Sequence, residues 1–216
     1  MIVDRLKKLL PEAGFITEEK TSDIVGINYN WIIDPLDGTT NFIHGMPCFC
    51  ISIALIMDNE LVLGVVHELN FDECFYASKN DGAFMNGAKI HVSDTKNLSE
   101  SLMATGFPYH NYDRIKPYME IFDYCMHNTH GLRRLGSAAA DLAYVACGRF
   151  DGFYEYGLNS WDVAGGAMIV MEAGGIVTDF SGGNKFVFGS EVIATNTLIA
   201  SEFLNIVKKK FNQEKQ

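Results

Sequence analysis

The stretch WIIDPLDGTTNF, residues 31–42, decides the fold and points to the chemistry. Its apolar start predicts a β-strand that Asp34 closes, and Pro35 is expected to prevent that strand from continuing. Asp37 follows directly beyond the turn. Two carboxylates separated by a Pro-Leu turn can converge on one point, and hard divalent cations prefer oxygen ligands held in that way. The backbone carbonyl of Leu36, inside the turn, is a further candidate ligand.

The residues after the two aspartates suit a phosphate group. Gly38 and Thr39 stand where a helix could begin, so their amides and that of Thr40 are able to grip a phosphate oxygen. A plainer interpretation is that Asp34 and Asp37 only complete a turn and a cap, because an isolated D-x-x-D-G pattern is common by chance.

Three more features help to decide between a metal site and a simple turn, and each is weak alone. The acidic pair Glu18-Glu19 follows a short strand-like apolar stretch, which is typical of a solvated pair. Asp162 follows Trp161 at the start of an apolar helix, where an acidic residue is usually a cap. Residues 135–138 form another helix start with exposed amides, and a glutamate, Glu155, follows at some distance.

Composition excludes several classes of protein. The chain has 216 residues, and its 17 Lys+Arg against 27 Asp+Glu give a net charge of −10, with a pI near 5.0. Such an acidic chain lacks the charge that nucleic acids or anionic membranes attract, and no window is apolar enough for a transmembrane helix. The five cysteines are an odd, scattered set, which favours reduced thiols and a cytoplasmic protein.

The order of elements predicts an α/β protein in layers, one unit over 1–216 with an N-terminal half at about 11–130 and a C-terminal half at about 131–216. In the first half we expect a helix end, a meander of strands with a hairpin turn at Asp58-Asn59, and a loop with two glycine turns. In the second half helices alternate with strands. The predicted first-half ranges are 2–10 (helix), 29–33, 48–57, 60–69 and 73–78 (strands) and 80–90 (loop). The predicted second-half ranges are 113–128, 137–148, 161–175 and 198–211 (helices) and 101–105, 151–154, 176–179 and 192–195 (strands).

Two motifs in order reveal a family resemblance. Residues 31–42 fit W-[IV]-[IV]-D-P-[IL]-D-G-T-x-N-[FY], residues 161–166 fit W-D-x-A-[AG]-[AG], and an E-A-G-G follows at 172–175. The chain resembles the inositol monophosphatases, in the magnesium-dependent, lithium-sensitive phosphatase superfamily, from about Pro11 to its C-terminus. The family usually opens with a helical pair carrying a D-x-x-T motif, so we expect an αβαβα sandwich with an incomplete first helical layer.

The resemblance also implies a site. It predicts two or three Mg²⁺ ions held by four carboxylates and one carbonyl: Glu18, Asp34, Leu36, Asp37 and Asp162. Glu18 and Thr39 would orient the attacking water, with Asp37 as the third catalytic residue. The implied substrate contacts are Gly38, Thr39, Gly136, Ser137, Ala138, Glu155 and Asp162.

The resulting prediction is an enzyme that hydrolyses inositol monophosphate by in-line attack of water. A small phosphorylated polyol is its expected partner, lithium is its expected inhibitor, and a homodimer is the expected assembly. Nucleic acid and membrane are not expected partners. The alternatives are a non-catalytic metal- or phosphate-binding protein on the same fold, or a related enzyme of the fructose-1,6-bisphosphatase, histidinol-phosphatase or bisphosphate-nucleotidase type. The T-T-N-F sequence after D-G favours the monophosphatase branch.

Overall fold

The computed structural model describes residues 2–19, 25–109 and 111–212. The helices are α1 (Ile2–Leu9), α2 (Thr39–Ile43), α3 (Ile115–Asn128), α4 (Ala138–Ala146), α5 (Ser160–Glu172) and α6 (Ala200–Asn212), with a 3₁₀ turn at Leu98–Glu100. The strands are β1 (Gly14–Thr17), β2 (Tyr29–Asp37), β3 (Cys50–Met57), β4 (Glu60–Glu68), β5 (Glu73–Ser78), β6 (Gly82–Met85), β7 (Ala88–Ile90), β8 (Leu102–Thr105), β9 (Gly131–Arg133), β10 (Gly152–Tyr156), β11 (Ile176–Thr178) and β12 (Glu191–Thr195). None of these helices is both long and apolar enough to cross a membrane.

The strands form two sheets. The first runs in the order β1-β2-β3-β4-β5-β6-β7, with β1 parallel to β2 and antiparallel neighbours from there on. The second runs in the order β11-β12-β10-β8-β9, and its two parallel pairs join β8 to β10 and to β9. Because β7 is the last strand of the first sheet and β8 lies in the second, the chain passes from one sheet to the other between Ile90 and Leu102.

Helices and sheets alternate in five layers, which confirms the predicted αβαβα sandwich. Helices α4 and α5 lie between the sheets in one large core that takes in Val66 from β4 and Phe153 from β10. Helices α3 and α6 cover the far face of the second sheet, where Tyr118 and Phe203 are fully buried.

Helix α1 lies on the outer face of the first sheet. Leu6, among other apolar residues of α1, packs over Phe15, Trp31 and Ile33. Tyr76, farther along the same sheet, is 37% exposed, and Phe84, which stacks on it, is half-buried. Among the described residues the outer layer therefore ends at α1, as predicted from the resemblance.

The hairpin between β3 and β4 forms as predicted. Side chains of β3 alternate between buried and half-buried positions, the period-two pattern of a strand. Asp58 and Asn59 both have positive φ, 51° and 67°, which matches the twist of a two-residue turn.

Three local predictions were wrong. Pro35 does not end its strand, because β2 continues to Asp37 through an irregularity that removes the need for a backbone donor there. The segment 80–90 is not a loop: one turn joins β5 to β6, a second joins β6 to β7, and both strands extend the first sheet. The third concerns β9, a three-residue strand at the edge of the second sheet that was not predicted.

Candidate metal centre

The first two candidate ligands come from an irregularity in β2. Asp34 pairs with Ser52 and Asp37 with Cys50, so three steps along β2 face only two along β3. An extra residue of this kind bends a strand and redirects its side chains. Both carboxylates therefore line one cavity of about 280 Å³ between the two halves of the chain.

The third candidate ligand arrives on α5. Asp162 stands in the first turn of this helix and lines the same cavity. One carboxylate oxygen each from Asp34, Asp37 and Asp162 lies within 4.8 Å of the other two. Three converging carboxylates with the carbonyl-bearing Leu36 beside them form an all-oxygen donor set, which fits a hard divalent cation such as Mg²⁺.

Close packing of α5 on the first sheet fixes the position of Asp162. A Cβ on Gly165 would lie 2.7 Å from Ser52 Oγ, and a Cβ on Gly64 would lie 2.4 Å from the Gly165 carbonyl oxygen. Only glycine permits this approach of helix to strand. The Ser52 hydroxyl donates to the carbonyl of Trp161 at 3.2 Å, immediately before Asp162.

Each carboxylate is held by hydrogen bonds to one of its oxygens. Asp34 Oδ1 accepts from the Leu36 amide at 2.8 Å, two residues along the same turn. Asp162 Oδ2 accepts from the Asn159 amide at 2.7 Å and from the Asn159 side chain at 3.4 Å. Such donors fix the orientation of a carboxylate and leave its other oxygen for a metal.

Asp37 is held from the opposite side of the cavity. Its Oδ2 accepts from the Ser137 hydroxyl at 2.7 Å and from the Ala139 amide at 2.8 Å. Ser137 also caps α4, because its hydroxyl accepts from the Ala140 amide. One hydroxyl thus joins the start of α4 to the metal-binding turn, about a hundred residues away in sequence.

Burial and mutual repulsion make these carboxylates reluctant to ionise. Burial, and then the charge of Asp37, raise the pKa of Asp34 to about 9. Burial raises the pKa of Asp37 to about 6 against the opposing effect of the Ser137 hydrogen bond. Burial and the charge of Asp37 raise the pKa of Asp162 to about 7. A bound cation would neutralise this charge, so the electrostatics also fit a metal site.

Most of the other predicted residues line the same cavity. Glu18 stands on its wall, exposed at the end of β1 and outside the tight group of three carboxylates, whereas Glu19 is exposed and outside the cavity lining. The Thr39 hydroxyl donates to the Leu36 carbonyl at 2.9 Å, and the predicted pairing of Thr39 with Glu18 is not among the described hydrogen bonds. The remaining predicted residues on the cavity wall are Gly38, Thr40, Gly136, Ala138 and Glu155.

Ser137 differs from its neighbours. It is 1% exposed, and it lies behind Asp37 rather than on the cavity wall. This geometry favours a supporting role for Ser137 over the direct substrate contact that the resemblance implied.

Glu155 reaches the cavity from the second sheet. It is 6% exposed, and burial raises the pKa of its carboxyl well above the usual value. A Cβ on Gly106 would lie within 2.1–2.2 Å of the Glu155 carboxylate, so glycine at that position makes room for the acid.

A side-chain amide joins α2 to two neighbouring segments beside the metal-binding turn. Gly38 has φ 87°, a left-handed conformation that suits glycine, and it begins the short helix α2. The buried Asn41 side chain donates to the carbonyls of Cys48 and Leu135, both at 2.7 Å. This amide holds α2 against the segment that leads into α4.

Seven residues of the cavity wall were not predicted from the sequence. The N-x-x-D spacing of Asn159 and Asp162, which forms a capping box, was a signal that could have been used. The others come from connecting segments whose partners are distant in sequence, and no local pattern marks them. The residues that were missed are Gly106, Phe107, Tyr109, Arg134, Gly157, Leu158 and Asn159.

The five-layer fold and the three carboxylates held by hydrogen bonds define the class of metal-dependent phosphatases. Comparison with known proteins leads to the same class. A model of the inositol monophosphatase family matches residues 1–214. The chain is 43% identical to Nus factor SuhB of Pseudomonas aeruginosa (96% of this chain, 78% of that protein) and 40% identical to inositol-1-monophosphatase of Mesorhizobium japonicum (97% and 79%). The solved structure of Thermotoga maritima IMPase superposes with a TM-score of 0.87 at 39% identity, covering 98% of this chain and 80% of that one. This chain belongs to the inositol monophosphatase family.

Proposed function

We propose that this chain is a Mg²⁺-dependent phosphomonoesterase that hydrolyses inositol monophosphate to inositol and phosphate. The observation that carries the proposal is the convergence of Asp34, Asp37 and Asp162 within 4.8 Å. A relative 40% identical is named inositol-1-monophosphatase, which supports the choice of substrate.

In this proposal the chain binds two or three Mg²⁺ ions through donors on the cavity wall, which are the three aspartates, Glu18 and the carbonyl of Leu36. When bound, the ions supply positive charge to the phosphate and lower the pKa of the attacking water. The amides of Gly38 and Thr39 hold phosphate oxygens at the start of α2.

Thr39 and Glu18 orient the attacking water. The Thr39 hydroxyl gives its own hydrogen to the Leu36 carbonyl, so toward the cavity its oxygen acts as an acceptor. Glu18, exposed on the same wall, takes the proton that the water loses. Attack proceeds in line with the leaving oxygen and inverts the configuration at phosphorus, without a covalent intermediate on the chain.

The inositol ring lies over the start of α4 and Glu155. Gly136 and Ala138 line this side of the cavity, and Glu155 has no described hydrogen bond that would occupy its carboxyl group. A buried carboxyl without a partner is a strong acceptor or donor for a polyol hydroxyl.

The remaining family properties are part of the same proposal. Li⁺ displaces one magnesium ion and inhibits the enzyme, and the protein acts in the cytoplasm as a homodimer. A related sugar-phosphate phosphatase activity remains an alternative within the enzyme class.

A second candidate function is non-catalytic binding on the same fold. It is favoured by one observation, that a relative 43% identical is named Nus factor SuhB rather than phosphatase.

Phosphate release from inositol 1-phosphate in the presence of Mg²⁺ tests the proposal. Asp37→Asn removes a charged ligand and should lower kcat/KM by at least about 100-fold, or roughly 2.7 kcal/mol of transition-state stabilisation. Asp58→Asn is the matched control, because Asp58 is exposed in a hairpin turn whose positive φ asparagine also adopts. Wild-type protein that binds Mg²⁺ by calorimetry yet releases no phosphate would favour the binding function.

A further inference from the structure

A second cavity, of about 500 Å³, shares no lining residue with the cavity of the metal centre. Its walls are the turn of the β3–β4 hairpin, the C-terminal end of α5 and the loop 184–189, here called the rim loop. Asp162 lines the first cavity near the start of α5, and Met171 lines the second near its end. Roughly 14 Å of helix therefore separates the two cavities.

The second cavity has mostly apolar walls. Ile56 and Phe186 form its buried part, whereas Met171 is more exposed and the Phe188 ring is 63% exposed. A ligand that covered the Phe188 ring and Met171 would remove apolar surface from water, which is favourable. The volume and the apolar walls are typical of a site for a small molecule with an apolar body.

The charged side chains of this cavity favour an anionic head group. Lys79 and Lys185 line it together with a single acid, Glu60. Lys79 pairs with Glu60, whereas Lys185 is exposed and has no carboxylate of the described residues within 4.0 Å. One lysine is therefore available to a ligand, in a chain whose net charge of −10 repels anions elsewhere.

The rim loop leads to the metal centre through the backbone of Ser190. The Ser190 carbonyl accepts from the amides of Gly157 and Leu158 at 2.7 and 3.3 Å, and both of these residues line the first cavity. The next residue, Asn159, donates its amide and its side chain to Asp162. Ser190 has φ 62°, a left-handed conformation that is uncommon for a residue with a side chain. The conformation of the rim loop thus bears on the segment that orients Asp162.

Apolar packing provides a second link between the cavities. Ile56, Leu61 and Val187 line the second cavity. Ile56 belongs to a small hydrophobic cluster against which Leu61, Val187 and Trp161 pack. Trp161 directly precedes Asp162, so a ligand that orders the cavity walls acts on the cluster that holds the start of α5.

We propose that the second cavity binds a small amphipathic carboxylate and that this ligand strengthens Mg²⁺ binding at the metal centre. The apolar body lies against Phe188 and Met171, and the carboxylate pairs with Lys185. The ligand orders the rim loop and so fixes the Ser190 carbonyl and the segment that orients Asp162. The effect on Mg²⁺ rests on the proposed metal centre, whereas binding of the carboxylate does not depend on the phosphatase function.

Calorimetric titration with octanoate, without Mg²⁺ or substrate, tests the second cavity. The wild type should bind one octanoate, and 1-octanol, which has the same chain without the charge, should bind about 10-fold more weakly. Lys185→Gln should remove this preference for the carboxylate. Phe188→Ala should weaken octanoate binding by about 5-fold, because an apolar wall is lost. Met171→Trp should fill the cavity and abolish binding.

Two variants outside both cavities serve as matched controls. Lys96 is exposed and, like Lys185, has no ion pair among the described residues, so Lys96→Gln should keep the wild-type preference. Phe71 is 68% exposed, close to the value for Phe188, and Phe71→Ala should keep the wild-type affinity for octanoate. Thermal unfolding of each variant checks that it folds.

Mg²⁺ titration with and without saturating octanoate tests the link to the metal centre. Octanoate should increase the Mg²⁺ affinity of the wild type by about 5-fold, and Mg²⁺ should increase the octanoate affinity by the same factor. Met171→Trp should show no change in Mg²⁺ affinity. Any change in that variant would measure the interaction of octanoate with Mg²⁺ in solution and is subtracted.

The proposal is overturned if the wild type does not bind octanoate, or if Lys185→Gln and Lys96→Gln weaken binding equally. Octanoate binding that leaves the Mg²⁺ affinity unchanged refutes the effect on the metal centre. If octanoate and Mg²⁺ strengthen each other's binding but inositol 1-phosphate releases no phosphate, the phosphatase function fails and the present proposal stands. If Mg²⁺ does not bind at all, the proposed metal centre is wrong, and the link to it is refuted with it.

Discussion

The Ser137 hydroxyl supports the metal-binding turn without reaching the cavity. It donates to Asp37 Oδ2, and this hydrogen bond opposes the rise that burial causes in the pKa of Asp37. Ser137→Ala should therefore raise that pKa further and weaken Mg²⁺ binding at pH 7 by about 10-fold or more, as loss of such supporting contacts does in other metal sites. Loss of the α4 cap should also lower stability by about 1 kcal/mol.

A second serine–aspartate pair provides the control for Ser137→Ala. Ser181 donates its hydroxyl to Asp179 at 2.6 Å in a loop whose residues are absent from the cavity wall. Ser181→Ala should lower stability to a similar extent while leaving Mg²⁺ affinity, measured by calorimetry, unchanged. Equal Mg²⁺ affinity in both variants would show that Ser137 only caps its helix.

Some residues of the candidate site could be predicted from the sequence and others could not. Asp34, Asp37 and Asp162 could be placed in one site because two motifs carry them and short-range turns hold two of them. Arg134 and Tyr109 could not, because their contact joins loops 25 residues apart and neither loop has a local pattern that fixes where its side chains go. The hydrogen bond from Ser137 to Asp37 could not be predicted for the same reason, because the two residues are 100 apart in sequence.

Elements were predictable where side-chain periodicity decided them. The alternation in β3 and the turn at Asp58-Asn59 identified a hairpin, whereas β6 and β7, with four and three residues, are too short to show a period. Pro35 does not mark the end of β2, because pairing with β3 breaks at the irregularity and the proline needs no ladder hydrogen bond there.

The contact between α5 and the first sheet yields a prediction at this scale. In Gly165→Ala the new Cβ would lie 2.7 Å from Ser52 Oγ and 3.2 Å from the carbonyl oxygens of Ile53 and Val65. Overpacking of this kind costs about 1–3 kcal/mol, and the helix must shift to relieve it. Asp162 shifts with it, so Gly165→Ala should reduce both the free energy of unfolding and the affinity for Mg²⁺.

Gly131→Ala is the control for the helix contact. Gly131 begins the edge strand β9, and its nearest neighbours would be side-chain atoms of Arg133 at 3.3 Å and Leu102 at 3.6 Å. Denaturant unfolding and Mg²⁺ titration of this variant should both stay near the wild type. If Gly165→Ala lost stability but bound Mg²⁺ normally, α5 would not transmit its position to the site.

The net charge of −10 is concentrated in part at the candidate metal centre. Five of the acids line one cavity, where their charge would attract cations that would in turn attract a phosphate. Acidic composition is therefore consistent with a phosphate substrate here, although it argues against nucleic acid as an electrostatic partner.

Concentrating these acids in one cavity also makes the stability of the whole chain depend on pH and Mg²⁺ together. Asp34, Asp37 and Asp162 have folded-state pKa values of about 9, 6 and 7, against 3.8 for an unperturbed aspartate. Between about pH 4 and pH 9 the metal-free folded chain binds more protons than the unfolded chain, so its stability falls as the pH rises. Mg²⁺ binds the ionised carboxylates, so its stabilising effect should rise over the same range.

Thermal unfolding in excess Mg²⁺ and in EDTA, at pH 5.5 and pH 8.5, tests this linkage. At the higher pH, Mg²⁺ at 100 times its Kd should stabilise the fold by about 2.7 kcal/mol, an increase in Tm of roughly 5–10 °C. At pH 5.5 protons compete for the carboxylates, and the Tm shift should be much smaller. Asp162→Asn should reduce the shift at pH 8.5 and Asp58→Asn should not, because Asp58 lies in an exposed turn outside the cavity. A Tm shift that is equal at both pH values would mean that the three aspartates do not bind the metal.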